Sequence, residues 1–152
     1  MNEVARTTEL PAPADAVWAR VTTPEGVNHE LRPWMRMTVP RAARGLTLEE
    51  VPLNRTLGRS WILLGGVLPF DFDAITLVER GPGRRFLERS PMGSMRFWQH
   101  ERLVEERGEG ACAVTDRLTF APRIPGTDGL VRAIVERIFR HRHRRLRSHF
   151  AR

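Results

Sequence analysis

The sequence predicts an α+β domain in which one antiparallel sheet of about seven strands is laid against a long C-terminal helix, in the order strand, two short helices, six strands, helix. Three observations predict it. Apolar residues alternate with period two through much of residues 56–121, and turn residues recur roughly every ten positions. The connections are too short for parallel crossovers, so neighbouring strands must run antiparallel as hairpins. From Asp128 to Phe150 the period becomes helical, with Leu130, Val131, Ile134, Val135, Ile138, Phe139, Leu146 and Phe150 filling one face.

The elements follow in order. Residues 3–10 alternate as a strand, with Val4, Arg6, Thr8 and Leu10 on one side, and Pro11 and Pro13 end it. Ala14–Val21 suits a short helix whose apolar face is Val17, Trp18 and Val21. Thr23-Pro24-Glu25 opens a second helix, with threonine as N-cap and proline at the first helical position, and this helix ends near Leu31, ahead of Pro33. Trp34 to Val39 places Met35, Met37 and Val39 on one strand face. Residues 40–54 read as a loop with a helical turn around Leu48 to Val51. Strands are expected at 56–64, 70–79, 84–90, 95–106 and 111–121. Gly65-Gly66, Gly81-Pro82-Gly83, Pro91 to Gly93 and Gly108-Glu109-Gly110 punctuate them.

The chain has 152 residues, one domain's worth, and is 41% hydrophobic and 28% charged. Its single cysteine, Cys112, excludes an internal disulfide and argues against a zinc or iron–sulfur cluster. The apolar run Trp61 to Phe70 is about half a membrane span and is broken by Gly65, Gly66 and Pro69. Met1-Asn2-Glu3 has none of the features of a signal peptide. The expectation is a cytoplasmic single-domain protein, a monomer or homodimer. All 25 basic residues are arginine, so Schiff-base chemistry on lysine is excluded. The net charge of +7 is concentrated at the end: Arg132 to Arg152 holds eight arginines against Glu136, and the rest of the chain is neutral. Such a segment suits nucleic acid or an anionic membrane, or is simply a solvated helix whose charges complement its own dipole. No aromatic residues interleave the arginines as a base-stacking platform requires.

Several segments carry a resemblance. Pro13-Ala14-Asp15-Ala16-Val17-Trp18 and Thr23-Pro24-Glu25 resemble the first helix and the helix–helix junction of the START-like (SRPBCC, helix-grip) superfamily. Leu68-Pro69-Phe70-Asp71-Phe72-Asp73, Trp98-Gln99-His100-Glu101-Arg102 and the ending Phe139 to Leu146 are similar to bacterial members of it. The superfamily includes lipid-transfer domains and polyketide cyclase/dehydrases, and the element order matches along the whole chain. The resemblance implies a curved sheet gripping the last helix around an apolar cavity for a hydrophobic small molecule.

The residues themselves offer one pointed constellation. Cys112, Val114, Asp116, Leu118 and Phe120 alternate to the inner face of the last strand, so Asp116 is an acid in an apolar row. If Glu106 to Gly110 closes the hairpin, His100 lies opposite Asp116, Trp98 opposite Leu118 and Val104 opposite Cys112, with Arg96 and Arg102 on the same face. A tighter turn sets Glu101 beside Asp116, which like-charge repulsion disfavours. A His100–Asp116 pair suits general acid–base work, or is a satisfied polar pair joined by an arginine.

Glu88 shares a face with Phe86 and Ser90, and Asp71 and Asp73 share one with Ile75 and Leu77; nothing in the spacing brings these acids together. Arg59 and Trp61 offer a cation and an indole to a ligand, or are packing residues. Arg142, Arg145 and His149 fall in the apolar sector of the last helix, where a buried arginine demands a carboxylate, Asp116 or Glu88; alternatively, the helix outruns the sheet after Phe139 and these residues are wet. His141 and His143 diverge on a helix and cannot share one metal, so no metal and no cofactor are expected. No phosphate-binding loop, dinucleotide glycine pattern or nucleophile elbow occurs.

The expected cavity wall is Met35, Met37, Trp61, Phe86, Glu88, Trp98, His100, Val114, Asp116, Leu118, Ile134, Ile138 and Arg142, with Met92 and Met95 adding adaptable surface. The expected function is binding or transport of a lipid-, polyketide- or aromatic-like molecule. The alternatives are a cyclase/dehydrase-like enzyme using His100 and Asp116, and an interaction protein using the arginine-rich helix.

Overall fold

The computed structural model describes residues 1–151. Its elements are β1 (Asn2–Leu10), α1 (Ala14–Val21), α2 (Pro24–Leu31), β2 (Met35–Met37), β3 (Thr56–Leu64), β4 (Leu68–Arg80), β5 (Arg84–Arg89), β6 (Met95–Glu106), β7 (Cys112–Pro122) and α3 (Asp128–Phe150). The seven strands form one sheet in the order β1-β7-β6-β5-β4-β3-β2, antiparallel throughout. Every connection from β2 to β7 is therefore to an adjacent strand, and β1 closes the row against β7. The sheet curls, and α3 lies against its concave side. The second strand is shorter than Trp34–Val39, because only Met35 to Met37 pairs with β3.

The expected punctuation acts as read. Thr23 caps α2, its Oγ1 accepting from Gly26 N at 3.0 Å. Gly26 is needed for another reason: a Cβ there would lie 2.0 Å from the Arg20 carbonyl oxygen, so α1 and α2 meet only because that side chain is absent.

Two apolar clusters hold the helices to the sheet. Leu10, Val17, Val21, Val104, Cys112, Val114 and Leu146 join α1 and the end of α3 to β1, β6 and β7. Val4, Met92, Met95, Leu118, Phe120, Val135 and Phe139 join the middle of α3 to β7. Burying a side chain such as Leu118 or Phe120 contributes about 1.5–3 kcal/mol. In the first half of α3, Val135 and Phe139 pack on the sheet while Leu130 and Ile134 remain exposed. No helix among the described residues is long and apolar enough to cross a membrane.

Candidate functional site

Strand alternation turns Cys112, Val114, Asp116, Leu118 and Phe120 of β7 inward, as read from the sequence, and each is buried. On β6, His100, Arg102 and Val104 face the same way. Between the two apolar clusters these strands build a buried ionic network. Asp116 accepts from His100 Nε2 at 2.6 Å, from Arg102 Nε and Nη2 at 2.8 Å each, and from His143 Nε2 of α3 at 2.6 Å. Arg102 also donates to Glu30 of α2, from Nη1 at 2.9 Å and from Nη2 at 2.8 Å. Arg142 of α3 donates from Nε to the same carboxylate at 2.9 Å. With its proton on Nε2, His143 accepts the Thr8 hydroxyl at Nδ1, 2.7 Å away.

Two carboxylates thus face two guanidiniums, and each buried charge meets its complement. Burial alone would raise the Asp116 carboxyl. Arg102, with the hydrogen bonds from Arg102, His100 and His143, holds it well below the usual carboxylate range. Glu30 behaves likewise: Arg102 and Arg142 outweigh burial and lower it. Burial would lower Arg102, but Asp116 and Glu30 keep it well above its ordinary value.

The His100–Asp116 contact is present, but the register differs from the expected one. Asp116 pairs across the strands with Arg102, His100 with Leu118, Trp98 with Phe120, and Val104 with Val114. The hairpin closes through Arg107 N to Ala111 O at 2.9 Å, with Gly108 and Gly110 in the left-handed region at φ 82° and 71°. The pairing slides by two residues, which keeps every side chain on its face, so His100 reaches Asp116 diagonally. Arg96 does not share that face: a bulge between Met95 and Phe97 leaves it exposed.

Arg142 is buried as its place on the helix demands. Its carboxylate partner, however, is Glu30 and neither Asp116 nor Glu88. Arg145 is half-buried on the His29 carbonyl, and His149 stays exposed. Sequence reasoning missed Glu30, a buried charge on a helix too short and polar for its pattern to show a buried face. It also missed His143, whose position between Phe139 and Leu146 at helical spacing was the available signal.

Beside the network, α2, the first half of α3 and the concave sheet enclose an open cavity of about 460 Å³. Met35, Met37, Phe86, Glu88, Trp98, His100, Ile134, Ile138 and Arg142 line it, as expected, together with Met92 and Met95. Four expected wall residues do not. Asp116 lies beneath His100 and Arg102, while Val114 and Leu118 are covered by α3, which packs directly on β7. Trp61 is on the outer face, packed edge-on against Phe72, with the Arg59 guanidinium 4.1 Å from the Phe72 ring centre. An irregularity between Thr56 and Arg59, with Gly58 at φ 125°, reverses the inward parity of β3, so Leu57, Ser60 and Ile62 line the cavity. Phe70 and Ile134 line the cavity and are 53% and 48% exposed, which marks its mouth.

His100 is fixed by edge-on contacts with Phe86 and Phe139, at ring separations of 5.5 and 5.3 Å. Its Nδ1 makes no hydrogen bond among the described residues, and the ring faces the cavity. Three further carboxyl groups, Asp71, Asp73 and Glu88, stand on the opposite wall. Nothing in their spacing groups them. Pairing of β4 with β5, and the bridge of Asp73 to Met92, bring Asp73 and Glu88 to either side of Ser90. Among the described residues, no group of three His, Cys, Asp or Glu side chains is placed to hold a metal ion.

A curled seven-stranded antiparallel sheet gripping a C-terminal helix, with a cavity between them, is the START-like (SRPBCC) fold. Solved structures similar to this chain have it. A START superfamily protein from Mycobacterium smegmatis aligns with a TM-score of 0.72 at 10% identity, over 97% of this chain and 96% of that one. A protein from Chromobacterium violaceum aligns at 0.70 and 15% identity, over 100% and 99%. The Zhui aromatase/cyclase from a Streptomyces species aligns at 0.67 and 15% identity, over 97% and 92%. No curated protein matches the sequence. Within that fold, the chain belongs to the family described as Domain of unknown function (DUF8410), whose model matches residues 8–150.

Proposed function

We propose that the protein binds a hydrophobic small molecule of lipid, polyketide or aromatic character in its internal cavity. The observation that carries the reading is the cavity itself: about 460 Å³, walled largely by Met35, Met37, Leu57, Ile62, Phe86, Trp98, Val131, Ile134 and Ile138. A space of that size and polarity suits an apolar ligand of tens of atoms, oriented by a few polar groups. The mouth at Phe70 and Ile134 gives it an entrance. Native mass spectrometry of freshly purified protein tests the reading. A co-purifying organic molecule removed by solvent extraction is the expected result, and apo protein that also fails to take up added hydrophobic probes contradicts it.

One observation favours a second reading, proton transfer on the bound molecule in the manner of a cyclase or dehydratase. His100 meets the cavity with Nε2 anchored 2.6 Å from Asp116, the arrangement that fixes a histidine tautomer and leaves Nδ1 to accept a proton. His100→Ala separates the two readings. Under binding alone it weakens uptake of a ligand; under proton transfer it abolishes turnover while the ligand still binds.

A further inference from the structure

The charges around the cavity are unevenly answered. The two guanidiniums that reach its wall, Arg102 and Arg142, are already engaged with Asp116 and Glu30. Among the described residues, the wall formed by β4 and β5 carries three carboxyl groups and no cation. Asp71 is satisfied: it accepts from the Ser94 hydroxyl, from Ser94 N at 3.0 Å and from Phe72 N at 2.8 Å. Glu88 receives the Ser90 hydroxyl at 2.7 Å. Asp73 is only 5% exposed, lines the cavity, and among the described residues no donor group reaches its Oδ1.

An acceptor-rich pair in an apolar hollow is costly unless a proton or a cation joins it. Burial, and then the neighbouring Glu88 carboxyl, push Asp73 well above the usual carboxylate range. The other groups acting on it are the Ser90 hydroxyl and the Asp71 carboxylate, while across the cavity α3 presents Val131, Ile134, Val135 and Ile138.

We propose that this wall recognises a positively charged amine on an otherwise apolar ligand, with Asp73 and Glu88 as the groups that receive its N–H donors. The proposal rests on the ligand-binding reading and adds the chemical class of the ligand. An ammonium supplies the donors that Asp73 Oδ1 lacks and the positive charge the wall lacks. A carboxylate-bearing ligand brings a further negative charge to the same surface. The balance is definite: where Asp73 carries a proton, that proton leaves to solvent as the ammonium enters, so up to one proton is released for each amine bound, and no covalent bond is made or broken.

Three fluorescent probes of one shape, anthracenylmethylamine, anthracenylmethanol and anthracene carboxylate, test it with the full-length protein near neutral pH. The amine is expected to bind about tenfold more tightly than the alcohol, with the carboxylate weakest. Calorimetry in two buffers of different ionisation enthalpy should show proton release for the amine alone. Asp73→Asn, which keeps the side-chain shape, should lower amine affinity about tenfold and alcohol affinity far less, so that the amine preference disappears, and Glu88→Gln should do the same. Equal binding of amine and alcohol, or an amine preference that survives both substitutions, overturns the amine assignment while leaving a hydrophobic pocket. Failure of all three probes to bind overturns the ligand-binding reading and the amine assignment with it.

Discussion

Arg102 and Glu30 form a two-pronged ion pair inside the protein, Nη1 to Oε2 at 2.9 Å and Nη2 to Oε1 at 2.8 Å, joining residues 72 apart in sequence. The pair fastens α2 to β6, and through Arg142 the same carboxylate fastens α3. Helix α2 also supplies part of the cavity wall, at Val27, Asn28 and Leu31. Charge pairing in the core therefore positions part of the cavity wall.

Removing one partner of such a pair strands the others without water. Glu30→Ala should destabilise the protein by about 3–5 kcal/mol. On the same helix, exposed Glu25→Ala should change stability by no more than about 0.5 kcal/mol. The urea midpoint measured for both variants checks the contrast, and equal small effects contradict the assignment of Glu30 to the core.

Asp116 and Glu30 also set the acid limit of stability. Both titrate lower in the folded protein than in the unfolded chain, where the ordinary values are 3.8 and 4.5. Their contribution is complete above those values. As pH falls through them the unfolded chain takes up protons first, and stability drops until the folded carboxylates are themselves protonated. Asp116→Asn should therefore destabilise the protein strongly at about pH 6 and by about 1 kcal/mol less at about pH 3. Urea unfolding of wild type and variant across that range is the measurement.

Asp73 carries the opposite sign. Its folded-state value is raised, so ionisation in the unfolded chain opposes folding as pH climbs above 3.8. Asp73→Asn should be more stable than wild type at neutral pH, with the difference vanishing in acid. A thermal denaturation series over pH shows this directly, and a variant less stable at neutral pH contradicts the buried, protonated carboxyl.

At the α1–α2 junction, Gly26→Ala forces a methyl to within 2.0 Å of the Arg20 carbonyl. The helices must move apart, at a cost of about 1–3 kcal/mol, and the cavity wall moves with them. Thermal unfolding of the variant, together with its affinity for a hydrophobic probe, reads both effects.

What the sequence made legible depends on what each signal measures. Alternation reports which face a side chain takes, so the inward rows of β6 and β7 and the Phe86–Glu88–Ser90 face are correct. It does not report which residue lies opposite. A two-residue slide of the β6–β7 hairpin, set by the Arg107–Ala111 turn, leaves the faces intact and changes the partners. Bulges defeat alternation itself, as at Gly58 and Arg96. The buried charges were half legible. Asp116 stands out because its row is apolar, whereas Glu30 sits on a helix too short and polar to show a pattern. Contacts between distant segments, such as Glu30 with Arg142 or Asp73 with Glu88, belong to the packing and have no local signature.

The central claim is that the cavity between α3 and the sheet is where a ligand resides. Titration of wild type and Ile138→Trp with anthracenylmethanol, followed by fluorescence anisotropy, tests it most directly, because Ile138 is half-buried on the cavity wall and a tryptophan there occupies the space. Saturable one-site binding to wild type is expected, with at least about a tenfold loss in the variant and an unfolding temperature little changed. Binding of equal strength to both proteins would place the ligand elsewhere on the molecule and contradict the claim.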